Sequence, residues 1–319
     1  MELFAVRNPG PMTTVQDLGR LAFLDRGVPL SGALDPFACR VANLLVGNPE
    51  EAAVLEITVM GPTLEVLVPA DIALTGADMG MTINQAPVRG WRTVRVSPGD
   101  IIRIPRAAQG CRAYLAVTGG IDVPLMMGSR STFVRAKIGG VQGRGLIKGD
   151  ILHRGAGSLM DRPRELPGEW IPQYAREIAL RAVPGPQDDA FREGIGAFFG
   201  ASYEVTQQAD RMGCRLRGSA VRRDAGSPES IVTEPTMPGN VQVPADGQPI
   251  ILLVEQTSGG YAKIATVITS DLPKVAQAMP GNTVRFERVT LETAHRLYRE
   301  QQEKLQQIRN RLKRVRSAD

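Results

Sequence analysis

Short blocks of apolar and polar residues alternate along most of the chain, and two apolar blocks in its second half organise the rest. Residues 250–254 and 264–268 are both aliphatic and rich in β-branched side chains, which favours buried strands over helices. Between them lies the polar stretch 255–258, followed by Gly259 and Gly260, and paired glycines allow a tight turn. The pattern predicts a buried hairpin with polar side chains at its mouth.

The polar groups at this mouth are candidate catalytic residues: Gln256, Thr257, Tyr261 and Lys263. A few polar groups on a rigid apolar frame are typical of a pocket for a small molecule. The alternative is an exposed hairpin tip, which is polar only because it faces water. We favour the pocket, since both strands that lead to it are predicted to be fully buried.

Strand signals dominate the first half of the chain. Seven short strands are predicted between residues 54 and 117, separated by turn signals such as Pro98-Gly99-Asp100. Before them, a helix over residues 36–46 is predicted from Asp35 as its N-cap and Pro36 as its first residue. This density of strands indicates a barrel or a sandwich rather than a βαβ array.

Proline spacing and a weak internal repeat predict the domain organisation. Residues 97–105 and 279–287 both place a Pro-Gly turn before a strand that has Arg at the same offset, which suggests two related β domains. Prolines and a weak apolar pattern indicate a linker between them. The predicted parts are an N-terminal β-barrel-like domain over 1–154, a linker over 155–177, a C-terminal β domain over 178–289 and an amphipathic helix over 290–319.

Residues of the C-terminal stretch recur every seven positions in two sets: Leu291, Tyr298, Leu305 and Leu312, and Ala294, Gln301, Ile308 and Val315. This spacing predicts a helix with an a/d seam that has one long polar member, Gln301. A helix of this length is marginal alone in water, so its seam must be buried. It either packs along its own domain or pairs with a second copy or another subunit, with Gln301 setting the register.

Charge and hydropathy exclude some classes of partner. The net charge is +5, but residues 290–319 hold eight Lys or Arg and four Asp or Glu, so the rest of the chain is close to neutral. Nucleic-acid-binding proteins usually have their basic surface on folded domains, so no nucleic-acid partner is expected. Without an apolar run of roughly 20 residues or a basic signal-peptide start, we expect a cytoplasmic protein with no membrane partner.

Several catalytic chemistries lack their sequence signatures. The 3 cysteines are far apart and there are only 2 histidines, so we expect free thiols, no metal site and no Ser-His-Asp triad. The sequence contains no G-x-x-x-x-G-K-[ST] loop for a nucleotide. It also lacks the Met-Lys-Met in which a biotinylated lysine would stand.

Hydrogen-bond donors are the chemistry that remains. Ser129 and Arg130 lie in a glycine-rich, cationic segment, and Arg211 precedes the Met212-Gly213 pair. Arginine side chains and loop N–H groups hold carboxylate, phosphate or carbamate oxygens. The alternative is that these arginines pair with surface acids or lie between the domains.

Two acids and an amide are further candidates. Gln16 and Asp17 are adjacent, and Asp17 could take part in a site or form a local ion pair with Arg20. Glu56 is a lone acid in an apolar strand and therefore needs a partner. It is either part of a structural pair or a site acid with a perturbed pKa.

Eight segments of the chain together resemble the allophanate-hydrolase-subunit-2 family: T-T-V-Q-D-L-G-R, G-V-P-L-S-G-A-L-D-P, A-N-L-L-V-G-N, L-E-I-T-V-M-G-P, G-G-I-D-V-P-L-M-M-G-S-R-S-T, G-P-Q-D-D-A-F, D-R-M-G-C-R-L-R-G and Q-T-S-G-G-Y. Members of that family include the C subunit of bacterial 5-oxoprolinase, the Kip antagonist and part of the carboxyltransferase domain of urea amidolyase. The resemblance extends from Val6 to about Phe286. It implies a mainly β fold with a few helices, in which two cyclophilin-like β-barrel domains precede the long C-terminal helix.

The resemblance also implies a function, as one component of an ATP-dependent 5-oxoprolinase that opens 5-oxo-L-proline to L-glutamate and needs its partners for activity. The implied partners are a sister chain of the 5-oxoprolinase B-subunit, or Kip-inhibitor-like, family and the lactam-hydrolase A subunit. ATP would phosphorylate the lactam oxygen, and donors of this chain would hold and polarise that oxygen. The expected catalytic residues are Lys263, Tyr261, Gln256 and Thr257, and the expected substrate-binding residues are Ser129, Arg130, Gln16, Asp17 and Arg211.

Two other functions remain open at this point. The chain could be the carboxyltransferase component of a biotin-dependent, urea-carboxylase-like enzyme, with biotin carried by a partner. It could also be a regulatory partner of a kinase inhibitor, with no chemistry of its own.

Overall fold

The structure is a computed structural model that describes residues 1–314. The chain forms two compact units that interleave along the sequence. Among the described residues, the first unit comprises Met1–Arg20, Ser31–Tyr174 and residues 304–314, whereas the second comprises Leu21–Leu30 and Ala175–Glu303.

Within the described residues, eleven strands, one helix and the last part of the C-terminal helix described below build the first unit: β1 Glu2–Asn8, β2 Thr13–Gln16, α1 Pro36–Leu45, β3 Val54–Thr58, β4 Thr63–Val66, β5 Ala70–Asp78, β6 Thr82–Ile83, β7 Ala86–Pro87, β8 Val94–Val96, β9 Ile101–Arg103, β10 Gln109–Val117 and β11 Ile151–His153. They pair into a six-stranded sheet, β11-β1-β4-β9-β6-β7, and a five-stranded sheet, β2-β3-β10-β5-β8. Apolar side chains from both sheets, such as Phe4 and Leu64 from one and Leu55 and Leu115 from the other, share one buried core. The described strands of this unit are thus two open sheets packed on each other, the sandwich alternative of the prediction.

Helix α1 begins where the sequence predicted. The Asp35 carboxylate accepts a hydrogen bond from the Ala38 N–H at 3.0 Å, and Pro36 is the first helical residue. This satisfies one of the N–H groups that the first turn leaves free. Ala38 and Leu45 of α1 then bury themselves against Ala73 of β5.

Nine strands, two short helices and the first part of the C-terminal helix described below build the second unit: β12 Glu177–Pro184, α2 Ile195–Gly200, β13 Ser202–Val205, β14 Gly213–Gly218, β15 Glu234–Pro235, β16 Asn240–Gln242, β17 Ile250–Leu252, β18 Ser258–Gly259, β19 Lys263–Val267, α3 Leu272–Ala276 and β20 Thr283–Arg288. Seven of the strands close into a barrel in the order β12-β19-β16-β17-β14-β13-β20, and β15 pairs with β18 in a separate ribbon. Phe198 of α2 stacks on Phe286 of β20 with ring centroids 4.5 Å apart. The mainly β fold with a few helices is therefore confirmed.

The predicted hairpin over residues 250–268 is wrong in its pairing. Both apolar runs are buried strands, β17 and β19, but β16 lies between them, with Val241 opposite Ile251 on one side and Ala265 on the other. Because β16 has only three residues, its own pattern is too short to indicate a strand. The polar stretch between the two runs is consequently a loop that links two non-adjacent barrel strands.

The predicted C-terminal helix is present as α4, Leu291–Arg314. Its seam residues Leu305, Ile308 and Leu312 are buried in the first unit's second apolar cluster, which also contains Leu166. This half of the seam therefore packs on the chain itself, but on the first unit rather than on the barrel that precedes the helix. Leu291 and Tyr298 are exposed, and Val315 lies outside the described residues.

Part of the stretch predicted as a linker packs on the first unit. The Met160 N–H donates to Asp71, and Leu166 N–H donates to Trp91 O at 2.9 Å. Prolines predict an extended backbone, but extended backbone can still dock through side chains such as Leu166. Among the described helices, none combines the length and the apolar character that crossing a bilayer would need.

Candidate functional site

The nine predicted site residues fall into two groups, one in each compact unit. Four are in the first unit: Gln16, Asp17, Ser129 and Arg130. Five are in the second unit: Arg211, Gln256, Thr257, Tyr261 and Lys263.

In the first unit the Asp17 carboxylate is surrounded by hydrogen-bond donors. Its Oδ1 accepts from Ser129 Oγ at 2.6 Å, Ser131 Oγ at 2.5 Å and Gly19 N at 2.8 Å, while Oδ2 accepts from Arg130 N at 2.6 Å. The side chain is buried, and four donors largely saturate a carboxylate. We call Gln16, Asp17 and residues 129–131 the loop clamp.

Gln16 extends the loop clamp to a third segment. Its Nε2 donates to Thr132 O at 3.1 Å, and its Oε1 accepts from Gly32 N at 3.1 Å. A Cβ on Gly32, which has φ +82°, would lie 2.7 Å from Gly19 N, so only glycine permits this approach. The clamp therefore joins the two ends of the segment between residues 19 and 32.

The glycine-rich segment that contains Arg130 already donates hydrogen bonds to other residues of the first unit. Gly140 N donates to Arg130 O at 2.9 Å, Gly143 N donates to Gly139 O at 2.7 Å, and Arg130 Nε donates to Val123 O at 2.9 Å. A phosphate-binding loop instead points several N–H groups at its ligand. These residues therefore do not fit a nucleotide phosphate site.

In the second unit Lys263 is a buried cation. Its Nζ forms an ion pair with Glu234, and Gln187 Nε2 donates to the same carboxylate oxygen, Oε1, at 2.7 Å. Gln187 Oε1 in turn accepts from the Lys263 N–H at 3.1 Å. The hydrogen bond from Lys263, and secondly that from Gln187, lowers the pKa of Glu234. We call these three residues the Lys263 cluster.

A short segment over residues 231–236, here named the cover segment, brings Glu234 to Lys263. The segment is attached to the loop before β19, because Ile231 N donates to Gly260 O at 2.8 Å and Thr236 N to Thr257 O at 3.0 Å. Glu234 also pairs with Gly259 in the β15–β18 ribbon. The loop comes so close to the barrel that a Cβ on Gly259 would lie 2.3 Å from Gln242 Nε2.

The other predicted site residues of the second unit do not belong to the Lys263 cluster. Arg211 Nε lies 2.5 Å from Glu255 Oε1 in a buried ion pair, so this arginine pairs with an acid, although not at the surface. Gln256 donates to Ser258 O, and the Tyr261 side chain is exposed. Glu234 and Gln187 were missed, since neither lies in a pattern that connects it to Lys263.

Glu56 has the partners that its burial requires. Its Oε2 accepts from Tyr114 Oη and from Leu34 N, both at 2.9 Å. Burial, and secondly the charge of Glu56, raises the pKa of Tyr114. These contacts tie three segments of the first unit together and favour the structural alternative for Glu56.

Comparison with known proteins gives the chain a family. Residues 26–288 match the family model of the carboxyltransferase domain, subdomain A and B. The chain is 39% identical to the 5-oxoprolinase C subunit of Escherichia coli over 306 residues, which covers 95% of this chain and 96% of that protein. It is 36% identical to the 5-oxoprolinase C subunit of Haemophilus influenzae, covering 93% and 94% of the two chains.

Solved structures of larger enzymes are similar to the same stretch. The Kluyveromyces lactis urea carboxylase superposes with a TM-score of 0.91 at 31% identity, over 97% of this chain but 29% of that chain. The K. lactis urea amidolyase gives the same TM-score, with 20% of its chain covered. The predicted resemblance is thus confirmed, and the chain belongs to the carboxyltransferase-domain family, subdomains A and B.

Proposed function

We propose that this chain is the C subunit of an ATP-dependent 5-oxoprolinase, which opens 5-oxo-L-proline to L-glutamate. The observation that carries the proposal is the 39% and 36% identity to two 5-oxoprolinase C subunits over nearly the full length of each. Similarity to the urea enzymes covers a smaller share of those proteins, 17% for the urea amidolyase of Lachancea kluyveri.

The Lys263 cluster is the part of this chain that suits the reaction best. A lactam is a stable amide, so its opening needs activation and stabilisation of negative charge on the carbonyl oxygen. A buried ammonium can hold the substrate's own carboxylate beside the reacting lactam, because little water screens it, and donors of the nearby loop are left for the carbonyl oxygen. Lys263 is buried and sits beside Gln187, a neutral donor, and the nearby loop adds Gln256, Thr257 and Tyr261.

ATP, in this proposal, is held by partner subunits. N–H groups of the glycine-rich segment, such as those of Gly140 and Gly143, already donate to other residues of the first unit, so the segment does not fit a phosphate. We therefore expect the isolated chain to be inactive. The assembly with a Kip-inhibitor-like B subunit and a lactam-hydrolase A subunit should be active.

The test is glutamate release from 5-oxo-L-proline, measured for the purified chain, for the partner subunits together and for the complete assembly, each with and without ATP. We expect release only from the complete assembly with ATP. Release from the single chain would refute the requirement for partners. A complete assembly that releases no glutamate would refute the function itself.

A second candidate is the carboxyltransferase component of a biotin-dependent urea-carboxylase-like enzyme. The TM-score of 0.91 to the K. lactis urea carboxylase favours it. In that case biotin would arrive on a partner chain, because this sequence has no Met-Lys-Met. ATP-dependent carboxylation of urea by the assembly, with no glutamate release, would favour this candidate.

A further inference from the structure

Two ion pairs in the second unit are held very differently. Arg181 donates two hydrogen bonds to Asp271, from Nε to Oδ2 at 2.9 Å and from Nη2 to Oδ1 at 2.6 Å. The Asp271 side chain is fully buried. The Glu234 side chain that faces Lys263 is 38% exposed, whereas Lys263 itself is 4% exposed. The cation is therefore built into the barrel, and its carboxylate reaches it from the outside.

The cover segment that carries Glu234 has few attachments. Its ribbon to residues 258–259 consists of two residue pairs, and Val232 is 92% exposed. The buried Thr236 hydroxyl has no hydrogen-bond partner within residues 1–314, whereas most buried polar groups in proteins are hydrogen-bonded. A segment with few buried contacts opens at a low free-energy cost compared with global unfolding.

The barrel around Lys263 does not depend on the cover segment. Lys263 lies on β19, opposite Gln242 of β16, and neither strand pairs with β15. Gln187 is held independently, since its Oε1 accepts the Lys263 N–H and its own N–H donates to Lys263 O at 3.3 Å. An ammonium and an amide donor would thus stay in place if Glu234 withdrew.

We propose that Lys263 and Gln187 form a binding site for a small carboxylate, which Glu234 fills from within the chain in this structure. The ligand class follows from the group already there: a carboxylate oxygen that accepts from both an ammonium and an amide. Identifying that ligand as the carboxylate of 5-oxo-L-proline rests on the proposed function, whereas the exchange of one carboxylate for another does not.

Because Glu234 occupies the site, it must weaken the apparent affinity of the site for a carboxylate ligand from solution. A tethered group competes at an effective concentration on the order of millimolar, and a site that is free only part of the time binds in proportion to the free fraction. Removing the Glu234 carboxylate should therefore strengthen carboxylate binding by about tenfold.

Isothermal titration of the full chain tests this with three probes: 5-oxo-L-proline, glutarate, and 2-pyrrolidinone, which is the same lactam without the carboxylate. We expect Glu234→Ala to bind the two carboxylates about tenfold more tightly than the wild type and to gain nothing for 2-pyrrolidinone. Adding Lys263→Met to Glu234→Ala should abolish the gain. The matched control is Glu204→Ala, which removes an exposed carboxylate paired with Arg217 and should match the wild type.

Equal carboxylate affinities for the wild type and Glu234→Ala would overturn the proposal, as would a gain that survives Lys263→Met. A gain for glutarate but not for 5-oxo-L-proline would support the carboxylate site and count against the proposed function. If Glu234→Ala fails to fold by circular dichroism, Glu234→Gln takes its place, because it keeps the shape and removes the charge. A smaller gain of the same sign is then expected, and no gain overturns the proposal.

Discussion

The loop clamp of the first unit and the Lys263 cluster of the second are each built around one buried charge, but they treat it in opposite ways. Asp17 accepts from four donors that belong to the chain itself. Lys263 faces a carboxylate that is partly exposed and lies on a lightly attached segment. The first charge is locked in place, whereas the second has a partner that can be exchanged.

The comparison separates residues that make a motif recognisable from residues that can act on a ligand. Three of the segments that carry the family resemblance meet at the loop clamp, through Asp17, Gly32 and Ser129. A carboxylate saturated by its own chain has little capacity left for a substrate. We therefore interpret the loop clamp as a structural element and the Lys263 cluster as the group of residues that is available to bind and act on a ligand.

The largest expected effect concerns the clamp. Asp17→Asn removes the charge and points an NH₂ at donors, so the free energy of unfolding should fall by about 4 kcal/mol. Both tryptophans, Trp91 and Trp170, lie in the first unit, so their fluorescence in urea reports on it. The control, Asp122→Asn, alters an exposed acid and should change stability by less than about 0.5 kcal/mol. A loss below about 1 kcal/mol for Asp17→Asn would mean that the clamp is not structural.

A smaller effect is expected at Asp271, whose buried carboxylate pairs with Arg181 in the second unit. Burial alone would raise the pKa of Asp271, but the hydrogen bonds from Arg181 and the charge and hydrogen bond of Lys274 together outweigh it and lower the pKa below its usual value. The stability it contributes is therefore complete above the unfolded pKa of about 4 and is lost as the pH falls further. Asp271→Asn should cost about 2 kcal/mol at pH 7, measured by circular dichroism in urea, and progressively less towards about pH 3. An equal loss of unfolding free energy at both pH values would contradict a lowered pKa for Asp271.

The smallest effect concerns the cover segment. Thr236→Val removes a buried hydroxyl that has no partner within residues 1–314, so stability should stay unchanged or rise by up to about 1 kcal/mol. Thr75→Val is the matched control, because the Thr75 hydroxyl is buried and donates to Ala38 O at 2.7 Å; its loss should cost about 1 kcal/mol. Thermal unfolding compares the two. Equal destabilisation would show that the cover segment is as tightly satisfied as the core.

The two sites also mark how far sequence reasoning extends. Local patterns predicted the cap at Asp35, the buried strands β17 and β19, and the helix α4, because each depends on neighbouring residues. The strand β16 between β17 and β19 and the Glu234 partner of Lys263 escaped prediction. Both depend on which distant segments pair, and neither periodicity nor propensity encodes that register.

The loop clamp also shows that contacts between distant segments limit what the sequence can predict. From the sequence, Asp17 is a candidate for substrate binding, with a local ion pair to Arg20 as the alternative. Its actual partners, Ser129 and Ser131, are 112 and 114 residues away. Only the folded arrangement shows that these hydroxyls already occupy the carboxylate.

The central claim is that Lys263 acts through a site that Glu234 blocks, and steady-state kinetics of the assembled complex test it most directly. Glutamate release at varied 5-oxo-L-proline would be measured for the wild type, Lys263→Ala, Glu234→Ala and the double variant. We expect Lys263→Ala to lower kcat/KM by about 100-fold, Glu234→Ala to lower KM by about tenfold, and the double variant to behave like Lys263→Ala. Near-full activity of Lys263→Ala, or equal losses for both single variants, would contradict the account.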